Sequence, residues 1–357
     1  MNIYSKFLCI NYLKSFFYVF FVMLSLVVIL NVLTEIEFFR NLDVSIYLPI
    51  YLSILNSLDL IFEMFPFIFL ISTQVFFVNL IADNQINIFK YSGLKNSKII
   101  IIISSLTFLL GIIIITLFYS LSSNLKNLYL EHKNKYTSNN DYLAVVSNNG
   151  LWIKDIVGNK KLIINASEID GHFLKNAIIS QFDNNYNLNK IIISEKINIK
   201  DNQWILFDSK VIENIENREI NRFNLYSNFN FEKINNLFSE LSSLSILELF
   251  ELRNNYKDIN YSTIEVDIEI LKLISYPIYF TLMTILSSII MFNTKNFRST
   301  SLKIVIGLFF CVVIYYTNNL FQVLGNTERI SIFVSVWVTL AILTFFNIIL
   351  IRKINDK

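Results

Sequence analysis

The chain has 357 residues, of which 54% are hydrophobic and only 16% charged, against roughly 25% charged in a soluble domain. With a mean hydropathy of +0.51, this excludes an ordinary soluble globular protein. The formal net charge of +2 says little, because the charges are segregated along the chain, and nothing in it points to nucleic acid.

In chain order, charge-free apolar runs cover Ser15–Thr34, Met64–Ala82, Ile99–Leu125, Leu273–Thr294, Ile304–Thr327 and Ile330–Ile351. Each reaches about 18 residues, enough to cross a bilayer core of about 30 Å at about 1.5 Å per residue. The first could pass for a signal peptide, but no small-x-small cleavage site follows it, so it reads as a retained helix. Val44–Leu58 is also charge-free but shorter and contains Pro49. It reads as an outer-face helix or an extension into the second span. Lys6 and Lys14, then Lys90, Lys95 and Lys98, then Lys295, Arg298 and Lys303, and finally Arg352, Lys353 and Lys357 fall on one side of these spans. The two short loops on the other side carry only Arg40 and Arg329. The positive-inside rule predicts both termini in the cytoplasm, which an even number of spans allows.

The segment 126–265 differs in kind: it is polar and slightly acidic. Short alternating runs occur at Asp141–Val146, Leu151–Lys154, Lys161–Asn165, Asn176–Phe182, Lys190–Glu195 and Gln203–Phe207, with Asn148-Asn149-Gly150 as a turn. That spacing predicts an all-β sandwich or jelly roll. Trp152 and Trp204 are candidates for its core, and Asn235–Asn254 reads as a helical return. The expected division is 1–125 with three membrane helices, 126–265 as an extracytoplasmic β-domain, and 266–357 with three more helices.

Chemistry-bearing motifs are scarce. No P-loop is present, and no Gly-x-Ser-x-Gly nucleophile context. Cys9 and Cys311 suit neither a disulfide framework nor a metal site, and His132 and His172 stand alone. No catalytic residues, metal or cofactor are expected. Asp59 and Glu63 lie four residues apart, on one helical face, at the edge of the second span. A carboxylate there is costly and faces a cavity, a partner or headgroups. A secondary transporter would require polar or broken helices at midplane, for which Gln74, Asn79, Asn318 and Asn319 are the available residues. A sensor or scaffold with a ligand-binding β-domain fits the same layout.

Four local motifs carry a resemblance. They are Ile61-Phe-Glu-Met-Phe-Pro66, Ile88-Phe-Lys-Tyr-Ser-Gly93, Asn149-Gly-Leu-Trp-Ile-Lys-Asp155 and Asp201-Asn-Gln-Trp-Ile-Leu206. In this order and layout the chain resembles the lipopolysaccharide-export permease family, LptF/LptG. The segment Arg298 with Lys303–Gly307, followed by Tyr315-Tyr316, is more similar to LptG, as is Leu241–Leu247 with Tyr256.

The resemblance implies a multi-pass inner-membrane subunit with a periplasmic jelly-roll-like domain. It implies a homologous LptF-like partner, an LptB-like ABC ATPase dimer that uses ATP in trans, LptC/LptA-like bridge proteins, and lipopolysaccharide as cargo. Asp83, Gln85, Phe89, Lys90 and Gly93 would form the ATPase-coupling helix, within 83–98. Gln85 stands where the family has a Glu facing an ATPase Arg, so a charge-assisted bond becomes a neutral one. Gly93 would close that helix. Glu35, Arg40, Glu63 and Pro66 would border the lipid cavity, with an acidic outer end on the first span where the family's anionic cargo would meet cations.

Overall fold

The computed structural model describes residues 3–40, 42, 44–134, 136, 151–157, 160–183, 188–213, 216–231, 234, 240–258, 262–292 and 299–355. Two compact units emerge: 1–129 with 264–357, and 130–263.

The first unit is helical. Its elements are α1 (Ile3–Phe39), α2 (Tyr47–Glu63), α3 (Phe65–Ala82), α4 (Gln85–Tyr91), α5 (Asn96–Ile113), a π-helical turn (Ile114–Phe118) running into α6 (Tyr119–Asn134), α8 (Ile264–Phe292), α9 (Thr300–Asn326) and α10 (Ile332–Asn355). The helix between these groups, α7 (Ile246–Asp258), belongs to the second unit. Six helices are long and apolar enough to cross a membrane, one for each predicted run. They outlast those runs because polar or charged residues such as Lys6, Lys14 and Glu35 end a charge-free window without ending a helix. Val44–Leu58 resolves into a separate helix, α2, one residue short of α3. The break is at Met64, just before Pro66, which sits in the first turn of α3 where its missing N–H costs nothing.

Aromatic side chains fill the middle of this unit. Phe69 stacks on Phe280 at 4.9 Å and on Phe16 at 5.0 Å, and Phe65 meets Phe118 edge-on at 5.1 Å. A knot of hydroxyls ties four helices together. Thr107 Oγ1 donates to Tyr12 Oη at 3.1 Å and lies 3.2 Å from Thr284, while Tyr12 Oη is 3.4 Å from both Thr73 and Thr284. These side chains come from α1, α3, α5 and α8, and mutual pairing satisfies their polar groups inside an apolar core. Gly111 lets α5 approach α8: a Cβ there would lie 2.9 Å from the Pro277 Cα. Backbone cannot yield as a flexible side chain does, so Gly111→Val is expected to destabilise by about 1–3 kcal/mol. Thermal unfolding in detergent checks this, and an unchanged midpoint would refute it.

The second unit holds one six-stranded antiparallel sheet in the order β1-β2-β3-β4-β5-β6. The strands are Leu151–Val157, Lys160–Asp170, Phe173–Phe182, Leu188–Asn198, Gln203–Glu213 and Glu216–Tyr226. The all-β expectation holds, and every connection among the described strands joins nearest neighbours. The expected strand at Asp141–Val146 and its turn at 148–150 lie outside the described residues. So do residues 235–239 of the helical return, whose later part is α7. The last strand, β6, is an addition to the sequence reading.

A row of polar residues crosses this sheet. The paired rows skip Ser167 with Asn176, Asn176 with Glu195, Glu195 with Asp208, and Asp208 with Asn221. On this row the inward face changes parity. In β3, Leu174 is buried before it and Ala177 and Ile179 after it; in β5, Trp204 and Leu206 come before, Ser209 and Val211 after. Asn176 and Asp208 both have φ of 48°, a region that Asn and Asp tolerate better than most residues. The pairing keeps one register across the row, so the change of parity occurs in neighbouring strands at the same level, and both halves of the sheet line a single core.

Trp204 is fully buried in that core, and its indole N–H donates to the Phe229 carbonyl at 2.7 Å. Asp155, also buried, accepts from Ser227 Oγ at 2.7 Å, from the Asn228 amide at 3.0 Å and from Asn228 Nδ2 at 2.9 Å. These bonds clamp the segment after β6 against β1. At the hairpin tip, Lys175 Nζ lies 2.7 Å from Asp170, and its hydrogen bond and charge hold that exposed carboxyl below the usual carboxylate range.

Candidate functional site

Three places in the helical unit gather polar groups. The first joins α1, α2 and α6. Lys126 Nζ lies 3.3 Å from Asp59 Oδ2 and donates to Asn56 Oδ1 at 2.9 Å. Asn56 Nδ2 donates to Asn31 Oδ1 at 3.3 Å, and Asn31 Nδ2 to the Ser53 carbonyl at 2.9 Å. Nearby, the Tyr129 hydroxyl donates to Glu35 Oε1 at 2.8 Å. Glu35, only 1% exposed, is therefore turned into the protein, whereas Arg40 is exposed just beyond α1. The two predicted cavity residues are not brought together. Sequence reasoning passed over Lys126 as the start of the polar segment; a lysine one residue past a charge-free run was the available signal.

The second place is a cleft enclosing about 110 Å³. Glu63 and Pro66 border it from the α2–α3 junction, Lys272, Tyr276 and Tyr279 from α8, and Tyr315, Asn318, Asn319 and Gln322 from α9. Glu269 holds Lys272 Nζ with both oxygens, at 3.2 and 3.1 Å. Asp59 and Glu63 thus share α2 but serve different sites, Asp59 bound to Lys126 and Glu63 in the cleft. Gln74, a polar candidate within the second span, instead donates to the Lys303 and Ile304 carbonyls at 3.3 Å, pinning α3 to α9. Lys303 is buried and donates to the Met291 carbonyl at 3.0 Å, near the end of α8, where a cation complements the helix dipole. Arg298 and Lys295 lie outside the described residues.

The third place is the α3–α5 connection. Ile86 and Phe89 pack α4 onto the apolar cluster around Leu8, Phe77 and Leu80, with Phe89 6.1 Å from the Phe7 ring. On the free side Ile88 is 63% and Tyr91 91% exposed. Gly93 has φ of +78°, and the Leu94 amide donates to the Phe89 carbonyl at 2.9 Å, a Schellman closure. Gln85 Nε2 donates to Asp83 Oδ2 at 3.2 Å. Asp83 caps the end of α3, and the turn at Asn84, φ 54°, swings it back toward Gln85. The Lys90 side chain lies outside the described residues. In the β-domain, Trp204 is the buried anchor already described. Trp152 pairs with Asn165 through β1, and its side chain lies outside the described residues.

Six membrane-length helices interrupted after the third by a β-domain, with a buried polar network and a polar cleft among the helices, define a multi-pass membrane protein. Residues 6–353 match the family model for the lipopolysaccharide export system permease LptF/LptG. The chain belongs to that family and is thus a multi-pass inner-membrane permease of lipopolysaccharide export. No curated protein matches it.

Proposed function

We infer that this chain is the LptG-type half of an ATP-driven exporter that takes lipopolysaccharide from the outer leaflet of the inner membrane. Its termini and α4 lie in the cytoplasm and its β-domain in the periplasm, in keeping with the distribution of Lys and Arg. A homologous subunit completes the cavity, and jelly-roll bridge proteins receive the lipid from the β-domain. ATP is bound and hydrolysed by a separate ATPase dimer, since this chain has no P-loop. Extraction needs external work, because each acyl chain leaves an environment that stabilises it by about 25 cal/mol per Å².

The observation that carries this reading is α4 itself. It is fixed to the bundle by Ile86 and Phe89 and offers Ile88 and Tyr91 outward, as a helix seated in a partner's groove would. The Asp83–Gln85 pair adds a carboxylate beside the helix start, so the contact with the ATPase keeps an acidic group although Gln85 is neutral. An Ile88→Glu, Tyr91→Ala variant is expected to lose at least tenfold of the co-purifying ATPase, as loss of two interface anchors would produce. Wild-type complexes purified without any ATPase would sink the reading. Transport that survives ATP depletion would favour a secondary transporter instead.

A further inference from the structure

The charge balance of the cleft points to a ligand chemistry. Lys272 is the cation that borders it, and both oxygens of Glu269 hold its ammonium at 3.1 and 3.2 Å. Glu63 borders the same space without a hydrogen bond to a described residue, and its charge also acts on Lys272. Two carboxylates thus share one cation, and the space carries a net negative charge. On α9, Asn318, Asn319 and Gln322 turn toward it, and their amides also have no hydrogen-bond partner among the described residues. Side-chain amides in a membrane helix normally find a partner or a polar cavity. Three of them, about 6–12 Å from the end of α9 at 1.5 Å per residue, make a surface of paired donors and acceptors suited to vicinal hydroxyls. Tyr279 and Tyr315 add aromatic walls.

We propose that this cleft binds an amine-bearing, hydroxyl-rich sugar substituent of the lipid cargo, with Glu63 receiving the ammonium and the α9 amides the hydroxyls. A bare phosphate is disfavoured there, because it would meet a net negative charge. This rests on the lipopolysaccharide-export reading and adds to it a preference set by this chain.

The test uses the whole permease complex in nanodiscs and three probes: lipid A carrying an amino-sugar substituent, unsubstituted bisphosphorylated lipid A, and soluble glucosamine. The substituted lipid should bind about tenfold tighter than the unsubstituted one, or 1.4 kcal/mol. Glu63→Gln should erase that preference, by weakening the substituted lipid and removing the charge that disfavours the unsubstituted one. Glu63→Gln is close in shape and a thermal scan verifies its fold; Gln322→Leu serves as a second variant and should weaken the substituted lipid. Equal affinities, or a preference that survives Glu63→Gln, would overturn the cleft assignment while leaving export intact. Failure of both lipids to bind, with Glu63-dependent binding of glucosamine, would overturn the lipid source and the export reading while preserving the site's chemistry.

Discussion

Lys126→Met is expected to destabilise the helical unit by about 3–5 kcal/mol, the usual result of breaking a buried ion pair from one side. Both side chains of the Lys126–Asp59 pair are 9% exposed, so the carboxylate would lose its cation away from bulk water. The Asn56 carbonyl oxygen would lose its donor as well. The double variant Lys126→Met, Asp59→Leu should recover much of the loss, because a buried pair replaced by apolar groups is often neutral. Thermal unfolding of the purified protein in detergent reads both. A single variant as stable as wild type, or a double variant no better than the single, would show that the pair is not what fastens α2. The physical stake is the placement of α2, which meets α3 only across the break at Met64.

In the β-domain the largest effect is expected at Trp204. Trp204→Ala should cost about 3–5 kcal/mol, the range for removing a large buried aromatic. Trp204→Phe should cost about 1–3 kcal/mol, since it keeps most of the packing but strands the Phe229 carbonyl. Limited proteolysis of the full-length protein should then show cleavage within 151–231 in the order Ala, Phe, wild type. Equal resistance of all three would argue that the sheet's core does not depend on this anchor.

The six spans were legible because lipid imposes a long apolar run on any helix that crosses it. The two junctions inside that pattern were not. The break at Met64 falls between apolar residues, and the π-turn at 114–118 lies in an unbroken apolar stretch, so neither changes the hydropathy. The β6 strand stayed hidden because its apolar residues, Ile220, Phe223 and Leu225, do not keep a single period of two. The site was legible in part. Glu63, Pro66, Asn318 and Asn319 stand out in the sequence, and the cleft collects all four. Lys272 and Gln322 did not, since one sits at the margin of a predicted span and the other near its end. Glu35 was conspicuous for its charge, yet its direction depends on Tyr129, which is 94 residues away and which no local pattern reveals.

The polar row across the sheet has a genetic consequence. β3 and β5 are each written in two frames of hydrophobic alternation, and the residue on the row is the frameshift. Deleting Asn176 or Asp208 would merge the two frames into one in that strand alone. The strand would then be one residue short against neighbours whose pairing runs in constant register across the row. Substitutions on the row should therefore be far better tolerated than single-residue deletions there, a contrast that a deletion scan of residues 173–213 would reveal as sharp losses at 176 and 208.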